Sequence, residues 1–296
     1  MRILISGASG FIGAPLCSYL LSRGHDIAKL VRHVPLSSQE IQWDPGQGKA
    51  SKASFEGFDA IIHLSGEPLS LTRWTSKKKR EILYSRTVST WFLSQIVSSL
   101  CSPPKVFISA SAVNFYGDRG EELLDETAPP GQSFLSSVCM EWEKASQAIA
   151  NRGARTLQTR FGLVIDSHGG IMKKMRPLYH LGLGALFGTG EQWISWISLA
   201  DLLHAMDFLL HSSLEGPILL VSPHPVRQKE FSQTLAHLLC RPVYLKIPSW
   251  ILSCAFGQAA KELLLTSIRA VPSQLLSAGF SFKYPHLSDA MKNLSE

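Results

Sequence analysis

The fold of this chain is decided by its opening stretch, Met1-Arg-Ile-Leu-Ile-Ser-Gly-Ala-Ser-Gly-Phe-Ile-Gly13. Residues 2–5 contain a short apolar run, long enough for one buried strand of a parallel sheet. The glycines that follow suit a turn that binds phosphate. Gly7 permits a tight turn, Gly10 lets the backbone approach a diphosphate, and Gly13 lets the next helix pack close to the strand.

The helix predicted after this turn carries Ile12, Leu16 and Leu20 at helical spacing and ends near Gly24. Its first N–H groups and the positive end of its dipole favour a bound phosphate. A second strand is predicted directly afterwards, over residues 26–31. This order indicates a dinucleotide-binding unit; the alternative is a glycine-rich turn without a ligand. The expected cofactor loop consists of Gly7, Ser9, Gly10, Phe11, Ile12 and Gly13.

The end of the second predicted strand indicates which dinucleotide is bound. Folds that bind NAD place an acidic residue near this point, where it accepts the ribose 2′-hydroxyl, whereas an arginine suits a 2′-phosphate. This chain has Arg32 there. Arg32 therefore favours NADP(H) over NAD(H) as the cofactor; the alternative is a solvated arginine at the end of a strand.

The composition is that of an ordinary globular protein: 296 residues, 45% hydrophobic and 18% charged. The net charge of +6 suits anionic ligands but is too diffuse to indicate nucleic-acid binding. The first strand begins at once and no apolar run is long enough for a membrane span, so we expect neither a targeting peptide nor a membrane partner. The five cysteines lack disulfide or metal-ligand spacing, which predicts reduced thiols, no metal site and a cytoplasmic location.

Predicted strands and helices alternate through the first two-thirds of the chain, as in a doubly wound α/β fold with a Rossmann-type parallel sheet. We expect an NAD(P)-binding Rossmann domain over residues 1–165, with residues 193–221 returning to its sheet. The glycine-rich residues 166–192 and the helix-rich residues 222–296 are expected to form a small C-terminal lobe on the substrate side.

Apolar periodicity predicts the remaining elements of the nucleotide-binding domain. A strand over residues 59–64 ends in Ser65-Gly66-Glu67, and a loop at the carboxyl end of such a strand faces the ligand crevice. Helices are predicted over residues 76–99 and 134–151. Within the segment that returns to the sheet, residues 195–197 and 218–221 are the predicted strands.

Several short strings occur together along the chain: Gly7-Ala-Ser-Gly-Phe-Ile-Gly13, His63-Leu-Ser-Gly-Glu67, Arg73-Trp74, Ser85-Arg86, Trp142-Glu143, Gly169-Gly170, Gly182-Leu-Gly184, Gly188-Thr-Gly190, Ser195-Trp-Ile197 and Gly279-Phe280. In this combination the chain resembles the atypical extended short-chain dehydrogenase/reductases that are named epimerase family proteins or nucleoside-diphosphate-sugar epimerases. The resemblance covers essentially the whole chain. It implies a Rossmann-type domain that binds NADP and a C-terminal lobe that closes over it.

The resemblance also implies cofactor contacts beyond the glycine turn. Along the ribose and diphosphate these are Leu64, Ser65 and Gly66. Glu81 and Arg86 would contact the cofactor from the far side, although Glu81 could equally be an ordinary carboxylate on a helix surface. Arg160 would lie near the nicotinamide end.

Extended enzymes of this superfamily use a serine or threonine, a tyrosine, and a lysine four residues after the tyrosine. The tyrosine exchanges a proton with the substrate while hydride moves to or from the nicotinamide. Its phenol has an ordinary pKa of about 10, so the lysine must lower that pKa for work near neutral pH. By the resemblance Ser111 is the family serine, whereas Leu135 and Cys139 stand at the tyrosine and lysine positions.

The usual proton relay is therefore absent from the sequence. Tyr116, on the loop after the strand that carries Ser111, is the remaining candidate for a phenol in the pocket. The alternatives are a structural turn tyrosine at position 116 and a capping or turn serine at position 111.

The sequence supports two functions. The first is an NADP(H)-dependent oxidoreductase or epimerase-like enzyme that acts on a small, anionic or sugar-like substrate, with a proton supplied by Tyr116, water or the substrate. The second is a regulatory or scaffold protein that responds to NADP(H) without catalysing a reaction. The sequence does not predict the oligomeric state.

Overall fold

Strands and helices alternate along the chain from its first residues. The structure is a computed structural model and describes residues 1–150, 152–167 and 169–293. The strands are β1 (Arg2–Ser6), β2 (Asp26–Val31), β3 (Glu40–Asp44), β4 (Lys49–Ala50), β5 (Ala60–His63), β6 (Val106–Ala112), β7 (Leu123–Leu124), β8 (Arg155–Phe161), β9 (Leu163–Ile165), β10 (Ala185–Phe187), β11 (Trp193–Ile194), β12 (Trp196–Ser198), β13 (Gly216–Leu220), β14 (Val226–Arg227), β15 (Leu245–Ile247) and β16 (Arg269–Ala270). The α-helices are α1 (Gly13–Ser22), α2 (Ser76–Ser98), α3 (Phe134–Ala145), α4 (Gln147–Ala150), α5 (Met172–His180), α6 (Leu199–His211), α7 (Gln228–Leu238), α8 (Ser249–Phe256), α9 (Gln258–Ala260), α10 (Ser273–Ser277) and α11 (Leu287–Lys292). None of these helices has both the length and the apolar character needed to cross a membrane.

The central sheet has eight strands in the order β13-β8-β6-β5-β1-β2-β3-β4. Neighbouring strands from β13 to β3 are parallel, and only the edge pair β3–β4 is antiparallel. The chain builds outward from β1 in both directions, so the order of the strands reverses between β1 and β5. The doubly wound sheet of Rossmann type is confirmed, and its reversal point is where such folds bind ligands.

The opening strand is apolar throughout because both faces of the sheet are covered. Ile3 and Ile5 are fully buried on one face, in a cluster that includes Leu16 of α1. Leu4 is fully buried on the other face, in a cluster that includes Leu93 of α2. Burying each such side chain contributes about 1.5–3 kcal/mol. These two layers fix where β1 ends, and therefore where the glycine turn begins.

A third cluster lies away from the two faces of the sheet and packs the region that carries α5, α7 and α11. It contains the fully buried Trp196 and the nearly buried Tyr179, Phe231 and Leu287. The Tyr179 hydroxyl donates a hydrogen bond of 2.8 Å to the hydroxyl of Ser232 on α7. Trp196 is thus a core residue here, and the C-terminal region is helix-rich as predicted.

The segment predicted to return twice to the central sheet does so once. Strand β13 lies beside β8 at the edge of the sheet, whereas β12 pairs with β9 in a separate two-stranded sheet. Since β13 takes the edge of β8, no position next to β8 is left for β12. The prediction is therefore wrong for residues 195–197 and confirmed for the strand near residue 218.

The long helix predicted over residues 134–151 is two helices, α3 and α4, with Ser146 between them. The Ser146 hydroxyl donates to the Glu143 carbonyl at 2.7 Å. Such hydroxyl-to-backbone bonds compete with the regular helical pattern. Asn151, the predicted end, lies outside the described residues.

Candidate functional site

The turn after β1 is held in a shape that only glycine fits. Gly7 has φ of 70°, in the left-handed region that favours glycine. A Cβ atom added to Gly13 would lie 2.1 Å from the Gly7 carbonyl oxygen, and one added to Gly7 would lie 2.9 Å from the carbonyl carbon of Leu64. The turn, the start of α1 and the loop after β5 therefore meet with no room for side chains between them.

This turn presents unused hydrogen-bond donors. The Gly10 N–H donates to the Gly7 carbonyl at 2.9 Å, which closes the turn. Within the described residues, the N–H groups of Phe11, Ile12 and Gly13 have no hydrogen-bond acceptor. They stand at the beginning of α1, where the helix dipole adds positive potential. The residues present therefore fit a diphosphate group.

Arg32 follows directly after β2, at the same edge of the sheet as the glycine turn. Its side chain is exposed, and it forms no hydrogen bond or ion pair with any residue that the structure describes. A guanidinium in this state is available to a phosphate, which it can bind through two parallel N–H groups.

Leu64, Ser65 and Gly66 follow β5 and lie next to the glycine turn. The Leu64 N–H donates to the Ser6 hydroxyl at 3.2 Å, which ties the start of this loop to the end of β1. All three residues are at least partly exposed. The structure places Leu64 and Ser65 against Gly7 and places Gly66 beside Arg86. Their contact with the cofactor stays a prediction.

Arg86 supports this loop from α2. Its Nη2 donates to the Glu67 carbonyl at 3.0 Å, and its Nη1 donates to the Ile82 carbonyl at 3.1 Å. These bonds make Arg86 a residue that positions the loop. Glu81 is exposed on the same helix, and its carboxylate lies 3.7 Å from the Lys78 ammonium, which favours the reading as a surface carboxylate.

His63, the last residue of β5, is fully buried at the reversal point of the sheet. Its Nδ1 lies 2.6 Å from the Ser6 hydroxyl and its Nε2 lies 3.2 Å from the Ser89 hydroxyl. Burial lowers the pKa of His63 to about 3. The ring is therefore neutral at pH 7 with both nitrogens engaged, which suits a structural role and not that of a base.

The end of β6 leads into a buried ionic network. The Ser111 hydroxyl donates to Glu143 Oε1 at 2.6 Å, and Arg160 donates from Nε and Nη2 to the two Glu143 oxygens, both at 2.9 Å. Arg160 Nη1 also donates to the Tyr116 hydroxyl at 2.8 Å. The guanidinium carbon lies 3.5 Å from the centre of the Phe115 ring. The structure thus brings Ser111, Tyr116 and Arg160 together around a carboxylate.

The network argues against two assignments made from sequence. Arg160 is 3% exposed, and its donors are occupied by Glu143, Tyr116 and the Glu126 carbonyl, so it is not placed to contact a cofactor. Tyr116 is fully buried, and burial raises its pKa to about 12 although Arg160 favours the phenolate. A phenol whose pKa lies so far above neutral pH is a poor general acid or base. Tyr116 fits the structural reading.

The residues at the former tyrosine and lysine positions do not replace the relay. Cys139 is 3% exposed, and burial, together with Glu143, raises the pKa of its thiol to about 12. Leu135 is 2% exposed and offers only its backbone N–H, which donates to Glu262 Oε2 at 2.7 Å. Of the three catalytic groups that the resemblance implies, the serine, Ser111, is the one whose residue type matches, and its hydroxyl donates to Glu143.

Glu262 anchors the C-terminal region on the first turn of α3. Besides Leu135, its carboxylate accepts from the Phe134 N–H at 3.2 Å and from the Ser133 hydroxyl at 3.1 Å. A carboxylate at the start of a helix satisfies free N–H groups and matches the dipole. Sequence reasoning missed this residue, because 127 positions separate it from Leu135. It also missed the role of Glu143, although the Trp142-Glu143 string marked the position.

A cleft of about 780 Å³ opens beside this contact. Its lining includes Ser133 and Glu262 together with Arg73, Trp250 and Lys261. The volume is within the range of small-molecule sites, and the lining is of mixed charge, with two cations, the carboxylates of Asp118 and Glu262, and one aromatic ring. No local sequence pattern indicated this set, because its members come from the loop before α2, the start of α3 and the C-terminal region.

The glycine-rich segment after β9 packs over the cofactor turn. A Cβ atom added to Gly169 would lie 2.2 Å from the Phe11 ring, and one added to Gly170 would lie 2.8 Å from it. The absence of side chains at these two positions lets the segment lie flat on Phe11. The segment was predicted to belong to the substrate-side lobe, and here it lies on a residue of the predicted cofactor loop.

The comparison with known families matches the organisation described above. Residues 3–221 match the NAD dependent epimerase/dehydratase family. The chain belongs to this family. Residues 247–294 match a second family, DUF1731, a domain of unknown function. This second match includes Glu262 and Trp250, so part of the cleft's lining in this chain belongs to the DUF1731 region.

Two relatives align over almost the entire chain. An epimerase family protein of Mycobacterium bovis is 36% identical over 290 residues, which cover 98% of this chain and 96% of the relative. The human epimerase family protein SDR39U1 is 30% identical over 298 residues, which cover 99% of each chain. The resemblance that the sequence strings indicated is thereby confirmed.

A solved structure has the same architecture. The crystal structure of human SDR39U1 (isoform 2) with NADPH superimposes with a TM-score of 0.91 and 29% identity, covering 100% of this chain and 99% of that one. The eight-stranded sheet and the C-terminal region of this chain are therefore shared with a protein that was crystallised with NADPH.

Proposed function

We propose that this chain binds NADP(H) and acts as an NADP(H)-dependent oxidoreductase on a small anionic carbonyl or hydroxyl compound. The observation that carries the proposal is the set of free donors at one edge of the sheet: the N–H groups of Phe11, Ile12 and Gly13, and the exposed Arg32 guanidinium. The NADPH in the similar human structure supports the same cofactor.

The residues divide between binding and positioning. The glycine turn holds the diphosphate at the start of α1, and Arg32 holds the 2′-phosphate. Leu64, Ser65 and Gly66 lie along the cofactor, and Arg86 fixes their loop through the Glu67 carbonyl. When bound, the cofactor supplies a hydride from its nicotinamide ring.

The substrate class follows from the cleft beside α3. Arg73 and Lys261 offer positive charge, and Trp250, 66% exposed, offers an aromatic wall. The two carboxylates of the lining, Asp118 and Glu262, already accept hydrogen bonds from backbone N–H groups. The two cations and the aromatic ring favour a small anionic molecule, including sugar-like ones. The cleft opens next to Ser133, which caps the helix that carries Leu135 at the family's tyrosine position.

The chain transfers the proton without a tyrosine–lysine pair. Tyr116 and Cys139 are buried with pKa values of about 12, and the Ser111 proton is directed to Glu143. A water molecule or the substrate itself therefore supplies or accepts the proton. Ser111 orients the substrate oxygen only after it gives up its bond to Glu143.

A second function is favoured by the same network. Tyr116 and Cys139 are buried and the Ser111 hydroxyl is bonded to Glu143, so none of them is free for acid–base catalysis. A protein that binds NADP(H) and signals its redox state to a partner does not need such groups. The glycine-rich segment that contacts Phe11 would connect the cofactor turn to the C-terminal region.

One experiment separates these functions. The purified chain is titrated with NADPH and NADH by calorimetry, and NADPH oxidation is then followed with a panel of anionic carbonyl compounds and nucleotide sugars. The oxidoreductase predicts turnover that is lost in Lys261→Ala. Tight NADPH binding with no turnover across the panel would favour the regulatory protein, and no binding of either nucleotide would refute both.

A further inference from the structure

A cluster of metal-ligating side chains lies at the end of the sheet opposite the cofactor turn. His25 stands directly before β2, whereas Arg32 stands directly after it. Asp207 and His211 project from the last turns of α6, four positions apart, and therefore share one face of that helix. The chain thus brings two imidazoles and one carboxylate together from two distant segments.

The distances between these groups suit one small cation. His25 Nε2 lies 3.2 Å from Asp207 Oδ1, and His211 Nε2 lies 3.8 Å from the same oxygen. The ligand atoms of all three residues lie within 4.8 Å of one another. In a tetrahedral zinc site with bonds of about 2.0–2.1 Å, ligand atoms are roughly 3.3 Å apart. Small side-chain movements would bring the three groups to that spacing.

The surroundings leave a ligand atom available from each residue. Arg23 pairs with the other carboxylate oxygen, Oδ2 of Asp207, at 3.1 Å, so Oδ1 faces only the imidazoles. His25 Nδ1 is buried and has no hydrogen-bond partner among the described residues. Without a metal, His25 Nε2–H donates to Asp207 Oδ1 at 3.2 Å. A bound cation would replace that proton, and the ring would then carry its proton on Nδ1.

The cluster is also accessible from solvent. Asp207 is 5% exposed, but the His211 side chain is 59% exposed, so an ion can enter from that side and keep a water molecule. Two imidazoles and one carboxylate are a donor set that suits Zn²⁺ and related divalent transition metals. Their spacing on α6 supplies two of the ligands from one rigid element.

We propose that His25, Asp207 and His211 bind Zn²⁺ or a similar divalent transition metal, with water as the fourth ligand. The ion ties the end of α6 to the start of β2 and so stabilises the fold. It lies away from the cofactor turn and takes no part in hydride transfer. The sequence predicted no metal site, because the cysteines carried no such spacing and 182 positions separate His25 from Asp207.

The test uses the full, untagged chain after treatment with a chelator, in the absence of nucleotide. Zn²⁺ titration followed by calorimetry is expected to give one site per chain, and saturating Zn²⁺ is expected to raise Tm by several degrees. Co²⁺ is expected to produce the visible absorption of a tetrahedral complex. His211→Ala is expected to weaken Zn²⁺ binding at least about tenfold and to abolish the rise in Tm.

The matched control is His237→Ala, because His237 is also an exposed histidine in the last turn of a helix, α7. It is expected to bind Zn²⁺ as the wild type does. Equal losses in the two variants, or a wild type that binds neither ion, would overturn the proposal. Both variants are expected to bind NADPH alike, so a failure here is distinguishable from a failure of the cofactor proposal.

Discussion

The carboxyl ends of β1 and β6 lie at one edge of the same sheet, yet they have opposite character. After β1 the N–H groups of Phe11 to Gly13 have no acceptor among the described residues. After β6 the Ser111 hydroxyl, the Glu143 carboxylate and the Arg160 guanidinium satisfy one another. The first, the open region, has free donors for a ligand, whereas the second, the sealed region, is complete without one.

The two regions depend on different kinds of groups, backbone in the first and side chains in the second. A dinucleotide is bound largely by backbone groups, which persist while the glycines persist. Proton transfer depends on particular side chains, and here Leu135 and Cys139 stand in their place. Once those side chains are lost, the remaining polar groups are stable only when paired, because an unpaired buried charge is strongly unfavourable.

The largest expected effect comes from disrupting the ionic network of the sealed region. Glu143→Gln leaves the Arg160 guanidinium buried without its countercharge, which is expected to lower the free energy of unfolding by about 3–5 kcal/mol. Urea unfolding measures this change. Glu141→Gln, at an exposed position of the same helix, is the control and is expected to change it by less than about 0.5 kcal/mol. Similar losses in both variants would mean that the network is not paired as described.

The next largest effect is expected from disrupting the glycine turn of the open region. Gly13→Ala forces a Cβ atom against the Gly7 carbonyl oxygen, so the turn must move and its donors lose their alignment. A strain of about 3 kcal/mol corresponds to an NADPH affinity roughly 100-fold lower by calorimetry. Ser18→Thr adds an atom at an exposed position of the same helix and is expected to leave the affinity unchanged. An unchanged affinity in folded Gly13→Ala would exclude this turn as the diphosphate site.

A smaller effect tests whether Arg32, in the open region, recognises the 2′-phosphate of NADPH. Arg32→Ala removes a charge-assisted pair worth about 1.5–3 kcal/mol, so NADPH affinity should fall about 10- to 100-fold while NADH affinity changes little. Arg80→Ala, another exposed arginine, is the matched control and should alter neither. Equal losses for the two nucleotides in Arg32→Ala would show that Arg32 does not read the 2′-phosphate.

The smallest effect concerns His63, which lies between the two regions. Its pKa is about 3 in the folded chain and about 6.5 when unfolded, so the unfolded chain binds more protons as the pH falls. Stability is complete above pH 6.5 and is lost toward pH 3. Between pH 7.5 and 5.5 the loss from this residue is about 1.3 kcal/mol. Unfolding midpoints at the two pH values measure it; His63→Gln should reduce the difference and His237→Ala should not.

Much of the open region could be predicted from local sequence. The glycine spacing, the apolar run before it and Arg32 are contiguous within one strand–helix–strand unit, and local contacts decide that unit. The sequence singled out Arg86 but did not predict its hydrogen bond to the Glu67 carbonyl, because that bond depends on how α2 packs. Arg160 was predicted to lie near the nicotinamide and Tyr116 to supply a phenol to the pocket or to be structural, whereas the structure buries both and pairs Arg160 with Tyr116 and Glu143.

The sequence by itself determined the doubly wound sheet and the position of the cofactor turn. Both depend on short-range steric effects, and the apolar pattern of the strands and the spacing of the glycines reflect these effects directly. The tertiary structure decided which groups are sealed and which are free. Glu143 meets Arg160 across two elements, and Glu262 reaches the first turn of α3 from a distant segment. His25 meets Asp207 only when α6 packs beside α1. Burial and pairing of charges depend on three-dimensional neighbours, and a linear pattern does not contain them.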